Sequence, residues 1–557
     1  MSYIVGVSSG AFGVAEARER PELVGLFKKA QSCITRGVQF VQLDLESLSE
    51  FEEPNLKEKM ESDIVKKLGV TFGIHSETKA FGVEAAELDS AIRMEYERAH
   101  KRLIDILKKA GEIGSKYVLI HSSESDPFPL VALRTQSTDL VDFYGRPFKE
   151  FLDENKWLLD WIIEKEGKFI WEEVLHESLE EYIRYHREAW TREIKEFYLL
   201  HFKREPTEEE LKKALDEREK ELKERLKRYF CDIVSSKTLH YGPERWAYFL
   251  VAKWMEQKPL WKKIVEVNLK FFAARDKKTV EEWAKEKNIN LQKLSIDDPN
   301  FRNNHEIWVP AVSAQYIWGH MNPKIPATYP DPKPLIEKYK MPLVLETPMA
   351  ERGVEEWLRF YNPLHIFCLA EEVGTNYIQL ALDLEHMLSI RLDPETVISL
   401  FPEGAGKFVK VIHAGWPATL APAHLPIYLG SDQQLYLYKM YYLLRKKGFG
   451  LDPNIDHFIV FERGGPETFQ ESVIALRKIV EFLEKDIPPE RLPPEFFGIA
   501  TGEIASEERQ LATIREHAYD PLKGLLMVPE EEYTFLSRAA LEKPGVTPEK
   551  WKKEELR

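Results

Sequence analysis

The chain is poor in cysteine, with Cys33, Cys231 and Cys368 the only three in 557 residues and no two of them close in sequence. That spacing supports neither a disulfide framework nor a cysteine-based zinc module. Basic charge is also in deficit: 78 Lys and Arg stand against 93 Asp and Glu, a formal net charge of −15. A surface built to hold nucleic-acid phosphates carries the opposite excess, so the balance argues against a nucleic-acid partner. No apolar run is long enough to span a bilayer, and the opening MSYIVGVSSGAFG lacks the basic start and apolar length of an export signal. These absences lead us to expect a cytoplasmic protein with no membrane partner. No Gly-rich dinucleotide loop follows any apolar run, which disfavours an open nucleotide-binding sheet.

What is present is an alternation. Eight short apolar runs recur: YIVGVS (Tyr3 to Ser8), VQFVQLDLE (Val38 to Glu46), VTFGIHSE (Val70 to Glu77), KYVLIHSS (Lys116 to Ser123), PLVLETP (Pro342 to Pro348), YIQLALDLEH (Tyr377 to His386), FVKVIHAG (Phe408 to Gly415) and HFIVFERGG (His457 to Gly465). Their β-branched, Leu and aromatic content fits strands buried on both faces of a parallel sheet. Helical patterns lie between them, such as Ala91 to Gly114, with Gly111 and Gly114 as stop signals. Eight such units predict a (β/α)8 TIM barrel. The alternation breaks after the fourth run. Residues 1–123 carry strands one to four, 124–334 a mainly helical insertion, 335–486 strands five to eight, and 487–557 a Pro- and Glu-rich C-terminal extension. Within the insertion, Thr207 and Glu210 read as a capping box opening a helix with one solvated, charged face. The Pro-rich HMNPKIPATYPDPKP, His320 to Pro334, reads as a linker back to the barrel. The insertion's Trp246, Trp254, Trp261, Trp283 and Trp308 fit a core better than a partner surface.

Six of the eight runs end in a titratable side chain: His75, His121, Glu346, Asp383 with His386, His413, and Glu462. In a parallel barrel the C-terminal strand ends share one face, where catalytic loops gather. Carboxylates packed together without a cation would repel and take up protons, whereas a divalent ion keeps them ionised. A metal site is therefore expected there.

This pattern resembles the xylose-isomerase-like barrels, and in motif the apurinic endonuclease family of the endonuclease-four type. The resemblance covers roughly residues 1–123 and 340–485. It implies that His75 and His121 are ligands on strands three and four. Glu346 would bridge metals, Asp383 and His386 would form an Asp-x-x-His, His413 and His424 the next histidines, and Glu462 the last carboxylate. Pro422 stands where that family has an Asp, so a third ion loses a ligand and His386 and His424 pass to substrate contact. The set Glu346, Asp383, His413 and Glu462 also resembles the manganese site of sugar epimerases and hydroxy-keto isomerases. An oxygen-rich set suits Mn²⁺, with Mg²⁺ or Zn²⁺ as alternatives, and His75 and His121 with Glu346 would hold a second ion. The expectation drawn is a metal-dependent phosphoric ester hydrolase, a manganese phosphatase acting on a small phosphomonoester. Arg463 and Arg352 would contact its phosphate. The alternative is a sugar or hydroxy-keto isomerase or epimerase using Glu346 and Glu462 as bases. An apurinic-site endonuclease ranks behind both because of the acidic charge.

Overall fold

A computed structural model describes residues 2–11, 25–45, 47–76, 88–123, 139–169, 179–237, 243–348, 359–415, 426–462 and 469–499. Eight strands form: β1 (Tyr3–Ser8), β2 (Phe40–Leu45), β3 (Thr71–Ser76), β4 (Val118–His121), β5 (Leu343–Glu346), β6 (Ile378–Asp383), β7 (Val409–Ala414) and β8 (His457–Phe461). Each pairs in parallel with the next, and β1 pairs with β8, closing a TIM barrel. β1 coincides with its apolar run, and the other seven strands are shorter than theirs. A polar side chain stands at or within one residue of each strand's C-terminal end.

Strand side chains alternate between faces, so every second residue points into the barrel. The lower interior is an apolar layer of Phe40, Tyr117, Leu119, Val344, Ala381, Val411, Phe458 and Val460. Further along the same strands stand Gln42 and, beyond it towards the rim, Asp44, His75, His121, Glu346, Asp383, His413 and Glu462. The candidate residues are thus the last inward positions before the rim. Register sets them side by side, with Asp44 opposite His75, His121 opposite Glu346, and Asp383 opposite His413.

The helices wrap this barrel. They include α1 (Leu26–Ser32) and α2 (Arg93–Ile113), then, between β4 and β5, α3 (Leu179–Phe202), α4 (Glu208–Lys237), α5 (Pro243–Met255), α6 (Pro259–Arg275), α7 (His305–Met321) and α8 (Lys333–Tyr339). After β5 come α9 (Pro363–Val373), α10 (Leu384–Ser389), α11 (Asp432–Lys446) and α12 (Phe469–Glu484). Gly114 ends α2 in the left-handed conformation (φ 89°), as a stop signal should. Gly111 does not stop it. It lies inside α2, where a Cβ would meet the Tyr339 ring at 2.2 Å, so its role is close packing against α8. Thr207 and Glu210 do form the reciprocal cap of α4, with Glu210 N–H donating to Thr207 Oγ1 and Thr207 N–H to Glu210 Oε2.

Helices α3 and α4 pack on one another, but α6 and α7 pack against α9, itself set against β6. The second half of the helical stretch is therefore part of the barrel's outer layer. Trp261, Trp283 and Trp308 are buried there, as core residues. The Pro-rich segment is shorter than its sequence suggested, since α7 runs through His320 to Met321. Of the C-terminal extension, the described part packs Phe496 against Tyr438 and Phe482. No helix among the described residues is long and apolar enough to cross a membrane.

One glycine is a sensitive point. A Cβ on Gly319 of α7 would lie 1.5 Å from the Phe143 carbonyl oxygen, a backbone atom that cannot swing aside. Gly319→Ala is expected to destabilise the chain by at least about 1–3 kcal/mol, the usual cost of overpacking, read as a lower urea midpoint.

Candidate metal centre

The centre is built from seven strand ends. Asp383 shows how one residue serves both strand and site. It ends β6 and caps α10, its Oδ1 accepting the His386 backbone N–H at 2.8 Å. Its Oδ2 faces His413 Nδ1 at 3.4 Å and His386 Nε2 at 3.8 Å. An apolar strand therefore ends in titratable groups because the next helix starts there and needs a cap.

His413 lies at the middle. Its Nδ1 is 2.7 Å from Glu346 Oε1, 3.2 Å from Glu462 Oε2 and 3.4 Å from Asp383 Oδ2. All four residues are at most 2% exposed. Burial favours the neutral imidazole, but the charges of Glu346 and Glu462 outweigh it and hold the His413 pKa well above its usual value. Burial pushes the Glu346 carboxyl up, and the histidines around it, His413 first, bring it well below the usual range.

Around Glu346 stand further imidazoles. His121 Nε2 lies 3.5 Å and His75 Nε2 3.8 Å from Glu346 Oε2, and His386 Nδ1 lies 3.7 Å from Oε1. His386 Nδ1–H donates to the Thr347 carbonyl at 3.0 Å. Glu346 is held by its backbone, because both Ser122 N–H and the Ser122 hydroxyl donate to its carbonyl at 2.7 Å.

Asp44 completes the ring, and the sequence analysis did not single it out. It accepts hydrogen bonds from Ser8 at 2.7 Å, Ser9 at 3.0 Å and His75 Nδ1–H at 2.8 Å. Burial raises its carboxyl, yet the His75 hydrogen bond and charge, Ser8 and Lys29 together hold it at about 2. An ionised carboxylate only accepts, so the proton of that bond sits on His75 Nδ1, and Nε2 is the atom turned towards Glu346. The signal was present: QLDLE at Gln42 to Glu46 echoes ALDLE at Ala381 to Glu385, with the Asp at the same point of each strand.

Whether these residues suit an ion follows from the donor atoms. Four groups gather within ligand reach: His75, His121 and Glu346; Asp44, His75 and Glu462; Glu346, Asp383 and His386; Asp383, His413 and Glu462. Glu346 Oε2 is fully buried and accepts no hydrogen bond among the described residues. A buried carboxylate oxygen without a donor is costly, and a divalent cation removes that cost. The set fits such an ion. The structure therefore brings together His75, His121, Glu346, Asp383, His386, His413 and Glu462. His424, Arg352, Arg463 and Pro422 lie outside the described residues.

Beside this ring lies a second buried charge cluster. Arg359 Nη1 pairs with Glu244 at 3.0 Å and Nη2 with Asp89 at 3.5 Å. Glu244 also accepts from Ser90 Oγ and Ala91 N–H, and Asp89 from Ser123 Oγ. The cluster ties the segment after β3, the end of β4, the start of α5 and the segment before α9.

Fold and site together define an eight-stranded parallel barrel with a buried carboxylate–histidine centre at the C-terminal strand ends. No family model matches the chain, and no curated protein does. Among solved structures it is similar to a D-tagatose 3-epimerase-like protein (TM-score 0.38, 11% identity, 88% of this chain and 100% of that one). It is similar also to an L-ribulose 3-epimerase (0.35, 9%, 88% and 100%). A third is the D-psicose 3-epimerase of Clostridium cellulolyticum H10, solved with D-tagatose (0.34, 9%, 87% and 99%). The assignment of residues rests on the geometry above rather than on these overlaps.

One expectation is corrected here. The motif resemblance suggested a manganese-dependent phosphatase on a small phosphomonoester, but the solved structures named above are sugar 3-epimerases or like one. The hydrolase reading and its phosphoester substrate are withdrawn. The residues that suggested it serve an isomerase equally, since both need a carboxylate-rich ion site.

Proposed function

We propose that the chain is a divalent-metal-dependent epimerase or isomerase of a small ketose or hydroxy ketone. The observation that carries this reading is the pair of buried glutamates, Glu346 and Glu462, reaching the same imidazole from strands three places apart in the barrel. Epimerisation next to a carbonyl takes a proton from one face of a carbon and returns one to the other. It needs a base on each side, and two carboxylates converging from different strands supply that. Glu346, Asp383, His413 and Glu462 would hold the ion, Mn²⁺ by the oxygen-rich donor set, and His75 and His121 with Glu346 would take a second. A bound divalent ion would polarise the carbonyl and fix the neighbouring hydroxyl. Glu346 and Glu462 would then move the proton, while His386 at the rim orients a substrate hydroxyl. The closed floor of the barrel keeps water from the lower side. Buried free thiols at Cys33 and Cys368 suit a reducing, cytoplasmic setting.

The test is proton exchange. Purified chain loaded with Mn²⁺ is expected to place deuterium from heavy water on the carbon next to the carbonyl of at least one ketose, and chelation should stop it. Ion-loaded protein that exchanges no such proton across a ketose and hydroxy-ketone panel would overturn the assignment.

A further inference from the structure

One layer below the donor ring lies a fully buried polar residue that neither ion binding nor proton transfer uses directly. Gln42 points inward from β2 and has no solvent exposure. Its Oε1 accepts two hydrogen bonds, from the Tyr117 hydroxyl at 2.8 Å and from His413 Nε2–H at 3.0 Å. Its Nε2 turns the other way and donates to Ser8 Oγ at 3.5 Å, with His75 Nδ1, whose proton goes to Asp44, also 3.5 Å away. A carboxamide has one accepting end and one donating end, so this orientation decides which histidine nitrogen carries a proton. With the oxygen on His413, Nε2 keeps its proton whether the ring is charged or neutral. Nδ1 is then the nitrogen presented to Glu346, Asp383 and Glu462.

The arrangement is built in at some cost to the core. Tyr117 reaches Gln42 across the barrel floor, between Phe40 and Phe458, with ring centroids 5.5 and 5.4 Å away. It fits only because β3 has a glycine there: a Cβ on Gly73 would lie 2.7 Å from the Tyr117 ring. A hydroxyl in an otherwise apolar layer must find a partner, and Gln42 Oε1 is that partner.

We propose that Gln42, locked by Tyr117, is a positioning residue that sets the His413 tautomer with Nδ1 towards the cation site, and so governs how tightly the chain holds a divalent ion. This rests on the reading that Glu346, Asp383, His413 and Glu462 bind such an ion. Hydrogen bonds to the far nitrogen of a ligating histidine typically change metal affinity 10–100-fold.

The experiment is calorimetric titration of the metal-free full chain with Mn²⁺. Gln42→Leu, which keeps the volume and loses the acceptor, is expected to weaken the Kd about 10–100-fold. Tyr117→Phe, which keeps the ring and frees the amide to turn, should weaken it by a smaller factor. Gln42→Glu, which keeps an oxygen for both donors, should stay closer to the unaltered chain than Gln42→Leu does. A role in packing alone predicts the reverse order, since a buried charge is worse for the core than Leu. Equal affinity in all variants, or Gln42→Glu no better than Gln42→Leu, overturns the proposal. Should the Gln42 variants not fold, Tyr117→Phe decides: an unchanged Kd overturns the inference and a weakened one supports it. Should the unaltered chain bind no divalent ion, the ion-site reading itself fails, an outcome distinct from normal binding that the variants leave unmoved.

Discussion

Glu346→Gln is expected to slow Mn²⁺-dependent deuterium exchange into a ketose by about 10²–10⁴-fold, the span that a positioned acid–base group contributes. The substitution keeps shape and burial but removes the charge. Glu346 belongs to two of the groups that gather within ligand reach. Its two oxygens face different partners: Oε1 meets His413 at 2.7 Å, and Oε2 lies 3.5 Å from His121. An amide in its place would turn a donor onto part of this set and leave His413 with less negative charge around it. Exchange and Mn²⁺ affinity should therefore fall together. Their separation is informative. Loss of affinity with exchange restored at saturating Mn²⁺ would leave Glu346 as a ligand and remove it as a base. Unchanged exchange would remove it from both roles.

Arg359→Ala is expected to cost about 3–5 kcal/mol of stability, the usual result of leaving buried charges without their partner. Arg359 is 1% exposed and sits between Asp89 and Glu244, themselves fully or nearly fully buried. Burial raises the Asp89 carboxyl even with the guanidinium beside it, so Asp89 has little to spare. The loss should appear as a fall in the urea midpoint. Replacing the whole triad, with Arg359→Met, Asp89→Asn and Glu244→Gln together, should recover most of it, because no charge is then stranded. A single variant as stable as the parent would mean that water reaches the cluster.

The barrel and its candidate metal rim were legible because both rest on local rules. A strand buried on both faces must be apolar, and a polar residue at its end must face either solvent or a shared centre. His75, His121, Glu346, Asp383, His413 and Glu462 all announced themselves in this way. Asp44 and Gln42 were harder to see, because β2 carries its polar side chains inside the strand: the QLDLE–ALDLE echo marks Asp44, but the pairing of neighbouring strands is needed to place Gln42. The packing of the helical insertion was hidden for a different reason. Its Pro-rich stretch and its amphipathic helices look separate in sequence, yet α6 and α7 close the barrel's outer wall, a contact between segments far apart in the chain. Gly111 looked like a helix stop because glycine has two uses, and only the Tyr339 ring against it shows which applies. The activity was the least legible part, since a hydrolase and an isomerase draw on the same ligand types.

The aromatic floor of Phe40, Tyr117 and Phe458 closes one mouth of the barrel. On the proposed reading, ion and ketone then share a single doorway. The order of arrival is imposed: the ion must be seated before the sugar enters, and the sugar, once in place, corks the ion behind it. Mn²⁺ exchange measured with a tracer should accordingly slow as ketose concentration rises, turning a lightly held metal into a retained one during turnover.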